Sequence, residues 1–243
     1  MPTGVTSNIV YSFTRDPGIT VRVGPAGQIV DFMVYKSVLC RKSAFFKAAL
    51  ESDFKEHETS IIELPEDKPE TFDDYFAWLY DTHSYTHSSP CKCLKVGSAD
   101  AHATAAQART VFDRMQRAWI FGDKVMDHDF CDMIIDAMLR HTTHIGRFPV
   151  GAAFEFYKIC GPDIPAKKFL VDMFMYSGTV AWVDSVYMNE EGYKSVLRAL
   201  MEKKAVVLSS GDAPWLADPC VYHWHKKEGG VCYKAKVDWT SKK

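Results

Sequence analysis

The sequence predicts an α+β fold: a small β-sheet flanked by short helices, followed by an all-α C-terminal extension. Three observations carry this. Residues 19–23 (ITVRV) alternate and residues 28–34 (QIVDFMV) resume an extended pattern, with the turn Gly24-Pro25-Ala26-Gly27 near their junction. From Pro69 onward, apolar residues recur at helical spacing. Strands and short helices therefore come first and helices only afterwards, an order that segregates sheet from helices.

Taken in order, residues 1–14 are polar and unpatterned and read as a flexible N-terminus. Ile19, Val21 and Val23 face one side of the first strand, Thr20 and Arg22 the other, and the two extended runs form a hairpin. Tyr35 to Cys40 shifts towards helix. Ser43 is placed to cap a second short helix, with Phe46, Ala49 and Leu50 along one face. SIIEL (60–64) is a strand with Ile62 and Leu64 on the same side. Asp67-Lys68-Pro69-Glu70 opens a helix carrying Phe72, Tyr75/Phe76 and Leu79 and ending near Tyr80.

Residues 82–109 are rich in Ser, Thr, Ala and His without a period, and read as a mobile insertion. Helical spacing returns at Val111, Met115, Ala118/Trp119, Gly122 and Val125. Asp129 is expected to cap the next helix, which carries Phe130, Ile134 and Ala137/Met138. Further helices are expected over 150–160, from Pro165 to near Gly178, and around Tyr193, Val196/Leu197 and Leu200. The remaining tail is turn-rich and irregular. These elements divide the chain at 142/143, into a mixed domain over 15–142 and a helical region over 143–243.

Composition narrows the function. The 243 residues include 29 basic and 31 acidic ones, a formal net charge of −2 that offers no general surface for nucleic acid. Seven irregularly spaced cysteines do not read as a disulfide framework. The N-terminus shows no basic-then-apolar leader, and no window reaches the roughly 18 apolar residues of a membrane span. The chain reads as soluble and intracellular, in cytoplasm or nucleus, with proteins as partners.

Catalytic chemistry finds no support. The sequence holds neither a Gly-x-Ser-x-Gly elbow nor a phosphate-cradling loop, and the adjacent Asp73 and Asp74 diverge on a helix. No enzyme activity and no small-molecule substrate are expected. Cys220-x-x-His223-x-His225 with Cys232 is the candidate metal set: thiolate and imidazole suit zinc, and four ligands close a structural site. Two histidines two apart on a strand would point the same way. The competing reading is a metal-free tail anchored by Trp224. No other cofactor is expected.

A set of short motifs, in order, resembles a known family. Phe32, Tyr35, Lys36, Leu39, Ser43 and Phe46 come first. Then come Ile62-Glu63-Leu64-Pro65, Glu70, Phe72 and Trp78-Leu79-Tyr80, and finally Gly122-Asp123-Lys124 with the run from Phe130 to Leu139. Together they make the first 140 or so residues resemble a BTB/POZ domain of the sort found in many fungal proteins. Tyr35 stands where the family usually has His, and the 82–109 insertion interrupts the pattern.

The resemblance implies a non-enzymatic interaction module that forms homo- or hetero-oligomers. In the family the N-terminal strand and first helix commonly pair across a two-fold axis. Here Ile19, Val21, Val23 and Leu39 would supply that dimer seam, unless residues 1–18 cover it in a monomer. Members that recruit a cullin-type ubiquitin-ligase scaffold carry a hydrophobic-x-Glu motif after the second helix. Phe54-Lys55-Glu56 matches it, with Phe54 as anchor and Glu56 fixing register. The other reading folds Phe54 under its own helix and leaves Glu56 solvated. The alternative function is a transcription-associated regulator that assembles complexes through the same domain.

Overall fold

The computed structural model describes residues 16–51, 59–80, 105–145, 148, 164–179, 190–202 and 210–236. The chain divides into two compact units, residues 1–67 and 68–243.

The first unit is a three-stranded mixed sheet with two short helices. Its elements are β1 (Gly18–Val23), β2 (Val30–Tyr35), α1 (Lys36–Lys42), α2 (Ala44–Glu51) and β3 (Ile61–Leu64). The strand order is β2-β1-β3. β1 and β2 are antiparallel with Val21 opposite Phe32, and β1 and β3 are parallel with Val21 opposite Ile62. Period-two alternation decides which face is buried: Ile19, Val21, Val23, Val34, Ile62 and Leu64 are interior. The opposite face carries Arg22, whose guanidinium reaches Asp31 at 3.0 Å and Glu63 at 3.6 Å, spanning all three strands.

Two devices fix the short helices. Ser43 caps α2 as the sequence predicts, its Oγ accepting from the Phe46 N–H at 3.1 Å. Lys36 Nζ donates to the Leu50 carbonyl at 2.8 Å, tying the start of α1 to the end of α2. Phe46 and Leu50 are buried, as their spacing requires.

The second unit is helical among the described residues. It holds α3 (Pro69–Tyr80), α4 (Ala105–Lys124), α5 (His128–Ile145), α6 (Pro165–Ser177) and α7 (Glu190–Glu202). A run of short turns follows: α8 (Pro214–Ala217), α9 (Trp224–Glu228) and α10 (Tyr233–Lys236), with 3-10 turns at Ser210–Asp212 and Pro219–Tyr222.

An aromatic core of Phe72, Tyr75, Trp78, Phe121 and Phe130 joins α3, α4 and α5, with ring centroids 5.1–5.8 Å apart at the closest contacts. Asp127 sits at its centre. It accepts from Tyr75 Oη at 3.1 Å, from Trp78 Nε1 at 3.0 Å and from the Phe130 N–H at 3.0 Å. Three converging donors offset the cost of burying that carboxylate. Gly122 allows the α4–α5 corner to close. A Cβ there would stand 2.8 Å from a Phe130 ring carbon and 2.9 Å from Cys131 Sγ.

The structure departs from the sequence reading at several points. Asp127, not Asp129, caps α5, because His128 is already helical and Phe130 then supplies the N–H that a cap satisfies. Asp129 pairs instead with Lys236 at 2.7 Å. α4 begins at Ala105, since the stretch AAQAR inside the expected insertion is made of good helix formers. The expected division at 142/143 falls within α5, which runs unbroken to Ile145. On α7, Val196 is buried, but Tyr193, Leu197, Leu200 and Met201 are exposed. Residues 1–14, most of the 82–109 insertion and the helix expected over 150–160 lie outside the described residues.

Candidate functional site

Helix α5 carries a stripe of three carboxylates, Asp129, Asp132 and Asp136, at i, i+3 and i+7. That spacing puts them on one face. Each receives groups from the C-terminal turns. Asp129 holds Lys236. Asp132 accepts from the Trp224 N–H at 2.5 Å and lies 2.9 Å from His225 Nδ1. Asp136 accepts from Tyr233 Oη at 2.7 Å and from Lys234 Nζ at 2.6 Å, and lies 3.2 Å from His223 Nε2.

The C-terminal turns have their own internal logic. Asp218 accepts from the Cys220 N–H at 2.9 Å and starts the 3-10 turn Pro219–Tyr222. His223 is a single extended residue between the 3-10 turn and α9, so the two histidines lie on a turn-to-helix corner rather than on the strand expected from their spacing. Gly229 takes a left-handed conformation at φ 76°, and the chain turns back so that Cys232 returns beside Cys220. Tyr222 and Tyr233 are both fully buried and act as pegs. Tyr222 Oη donates to Asp172 of α6 at 3.1 Å, and Tyr233 stacks edge-on against Trp78 at 6.0 Å. Outside, His128 stacks on Trp224 at 4.4 Å.

One ligand atom from each of Cys220, His223, His225 and Cys232 lies within 4.8 Å of the other three. His223 is fully buried. Although Nε2 is near Asp136, neither ring nitrogen has a well-directed hydrogen bond. Burial and the neighbouring Cys232 thiol push the Cys220 thiol up to about 12. The two carboxylates differ. Burial raises Asp132 despite its histidine neighbours. Burial would raise Asp136 too, but His223 and Lys234 outweigh it and bring that carboxyl to about 2. Burial also raises both Tyr222 and Tyr233, with Asp172 and Asp136 adding to it, so the phenols remain hydrogen-bond donors.

The sheet unit offers a different surface. Ile19, Val21, Val23 and Leu39, the residues of the expected dimer seam, are at most 2% exposed and lie in the interior of the chain. The exposed apolar side chains sit instead on and beside β2, an edge strand of this sheet: Ile29, Val30, Tyr35 and, at 68% exposure, Met33. Gly18 leaves room for the Met33 sulfur, since a Cβ there would approach it to 2.8 Å. Phe54 and Glu56 lie outside the described residues.

Residues 19–96 match the family model of the BTB/POZ domain. This chain carries a BTB/POZ domain. No curated protein matches the chain. The BTB/POZ match takes in all three strands, both short helices and α3, and with them the motifs from Phe32 to Tyr80; Gly122-Asp123-Lys124 and the run from Phe130 to Leu139 lie beyond it. The fold is accordingly a BTB domain with a small mixed sheet and short helices, followed by a helical C-terminal region. The Cys/His cluster lies well beyond the matched BTB/POZ residues, within 220–232. Of the residues now seen to matter, Asp132 and Asp136 were missed by sequence reasoning. In the sequence they stand out only as two carboxylates four apart in the otherwise apolar run from Phe130 to Leu139, which does not by itself mark a site.

A part-buried ion pair elsewhere in the helical unit reads as structural. Asp74 and Arg114 form a bidentate pair at 2.6 and 2.7 Å between α3 and α4. No helix among the described residues is long and apolar enough to cross a membrane.

Proposed function

We propose that this chain is a non-enzymatic interaction module that assembles homo- or hetero-oligomers through its BTB/POZ domain. The BTB/POZ match over residues 19–96 carries the reading, because these domains mediate protein–protein interaction. The exposed apolar edge at Ile29, Val30, Met33 and Tyr35 supports it. An edge strand bearing large apolar side chains is suited to pairing with another chain. Light scattering on the full chain tests self-assembly. The expected mass is a multiple of the protomer, and Met33→Asp should reduce it to one protomer. A monomer at every concentration, together with no partner recovered from the native cell, would overturn the proposal.

The finer reading makes the module an adaptor for a cullin-type ubiquitin ligase. It rests on Phe54 and Glu56, which follow α2 as a hydrophobic-x-Glu motif. A cullin pull-down comparing the native chain with Phe54→Ala plus Glu56→Ala decides it; equal recovery removes the adaptor role. The site of action is inside the cell, in cytoplasm or nucleus. Cys40, Cys220 and Cys232, among the described residues, are not joined in disulfides, which supports a reducing compartment.

A further inference from the structure

The C-terminal turns bring two thiols and two imidazoles to one point, from Cys220, His223, His225 and Cys232. We propose that these four side chains bind one Zn²⁺ as a closed structural site, with Asp132 and Asp136 orienting the two imidazoles from α5. The site lies outside the BTB/POZ match and stands or falls independently of the interaction reading.

Ligand type comes first. Two sulfur and two nitrogen ligands in a tetrahedral arrangement select zinc over hard cations, which take oxygen. Geometry comes second. Zinc–ligand bonds of the usual length put tetrahedral ligands about 3.3–3.8 Å apart. The four ligand atoms already lie within 4.8 Å, so the widest pair has to draw in by only about 1 Å. Side-chain rotation supplies a movement of that size.

The surroundings complete the argument. Ligating histidines ordinarily present their other ring nitrogen to a carboxylate or carbonyl, which fixes tautomer and ring orientation. Here Asp132 Oδ2 stands 2.9 Å from Nδ1 of His225, leaving Nε2 for the metal. Asp136 Oδ1 stands 3.2 Å from Nε2 of His223, leaving Nδ1. His223 is buried with both nitrogens lacking a well-directed hydrogen bond, and a metal bond would satisfy one of them. Charge also balances. Both thiols give up their protons to solvent on binding, and Zn²⁺ with two thiolates and two neutral imidazoles is net neutral. Such a site would clasp Cys220 to Cys232 and pin the turns between them to α5.

The test uses the full chain purified under reducing conditions without chelator. Metal analysis should find about one zinc per chain, as a single closed site requires. Replacement by Co²⁺ should give the intense visible bands of a tetrahedral centre and a thiolate-to-cobalt charge-transfer band. Cys232→Ser should weaken that band and lower zinc content. Asp132→Asn should keep the tetrahedral spectrum while weakening zinc binding about 10–100-fold, the usual effect of losing a carboxylate behind a histidine ligand. Should the cysteine variant fail to fold, cobalt titration of the metal-stripped native chain decides instead. A folded native protein that holds no zinc and takes up no cobalt would overturn the proposal. So would undiminished zinc in a folded Cys220→Ser plus Cys232→Ser variant, or a thiol count showing Cys220 and Cys232 joined as a disulfide in the native chain.

Discussion

In the sheet unit the buried strand positions are Ile19, Val21, Val23, Val34, Ile62 and Leu64, and its charged groups such as Arg22 face solvent. In the C-terminal turns, the large buried side chains are Tyr222, His223 and Tyr233, each set against a carboxylate of α5 or α6. One region is organised by removing apolar area from water, which is non-directional and forgiving of exact shape. The other is organised by directed polar contacts, each of which needs a particular partner. The two should therefore respond differently to substitution.

The largest effect is expected in the apolar region. Phe46→Ala should lower stability by about 3–5 kcal/mol, the cost of transfer plus a cavity, read from urea unfolding. Next comes the buried carboxylate of the helical core. Asp127→Ala strands three donors, from Tyr75, Trp78 and Phe130, and should cost about 3 kcal/mol in the same assay. Tyr233→Phe sharpens the contrast, because it keeps the ring and removes only the hydrogen bond to Asp136. A loss of about 1.5 kcal/mol is expected, concentrated in hydrogen exchange of residues 210–236. If Tyr233→Phe cost nothing, the C-terminal turns would be held by ring packing alone and the distinction between the regions would fail. Arg22→Ala should leave the urea midpoint unchanged, because exposed ion pairs contribute little.

The same contrast explains what could be read in advance. The sheet was legible because alternation in ITVRV and SIIEL is a local signal that fixes facing and register together. Ser43 and Pro69 announced their helices for equally local reasons. The cap of α5 was misplaced by two residues because Asp127 and Asp129 are chemically equivalent, and only the position of the first helical residue distinguishes them. The carboxylate stripe of α5 was not legible as part of a site. Asp132 and Asp136 acquire meaning only through residues 87 to 98 positions later. The four Cys and His residues could be named as a set from the sequence, but their convergence depends on the left-handed turn at Gly229 and on the buried Tyr222 and Tyr233.

The distance along the chain between α5 and its anchors has a consequence for synthesis. Asp132 and Asp129 wait for partners that come 93 and 107 residues later. At ordinary translation speeds that is a delay of roughly 5–20 s. Throughout it, a helix destined for the interior bears three uncompensated negative charges, which favour keeping it hydrated. The helical unit would then close only when its last turns emerge, so a ribosome stalled before residue 218 would display an open, chaperone-accessible intermediate.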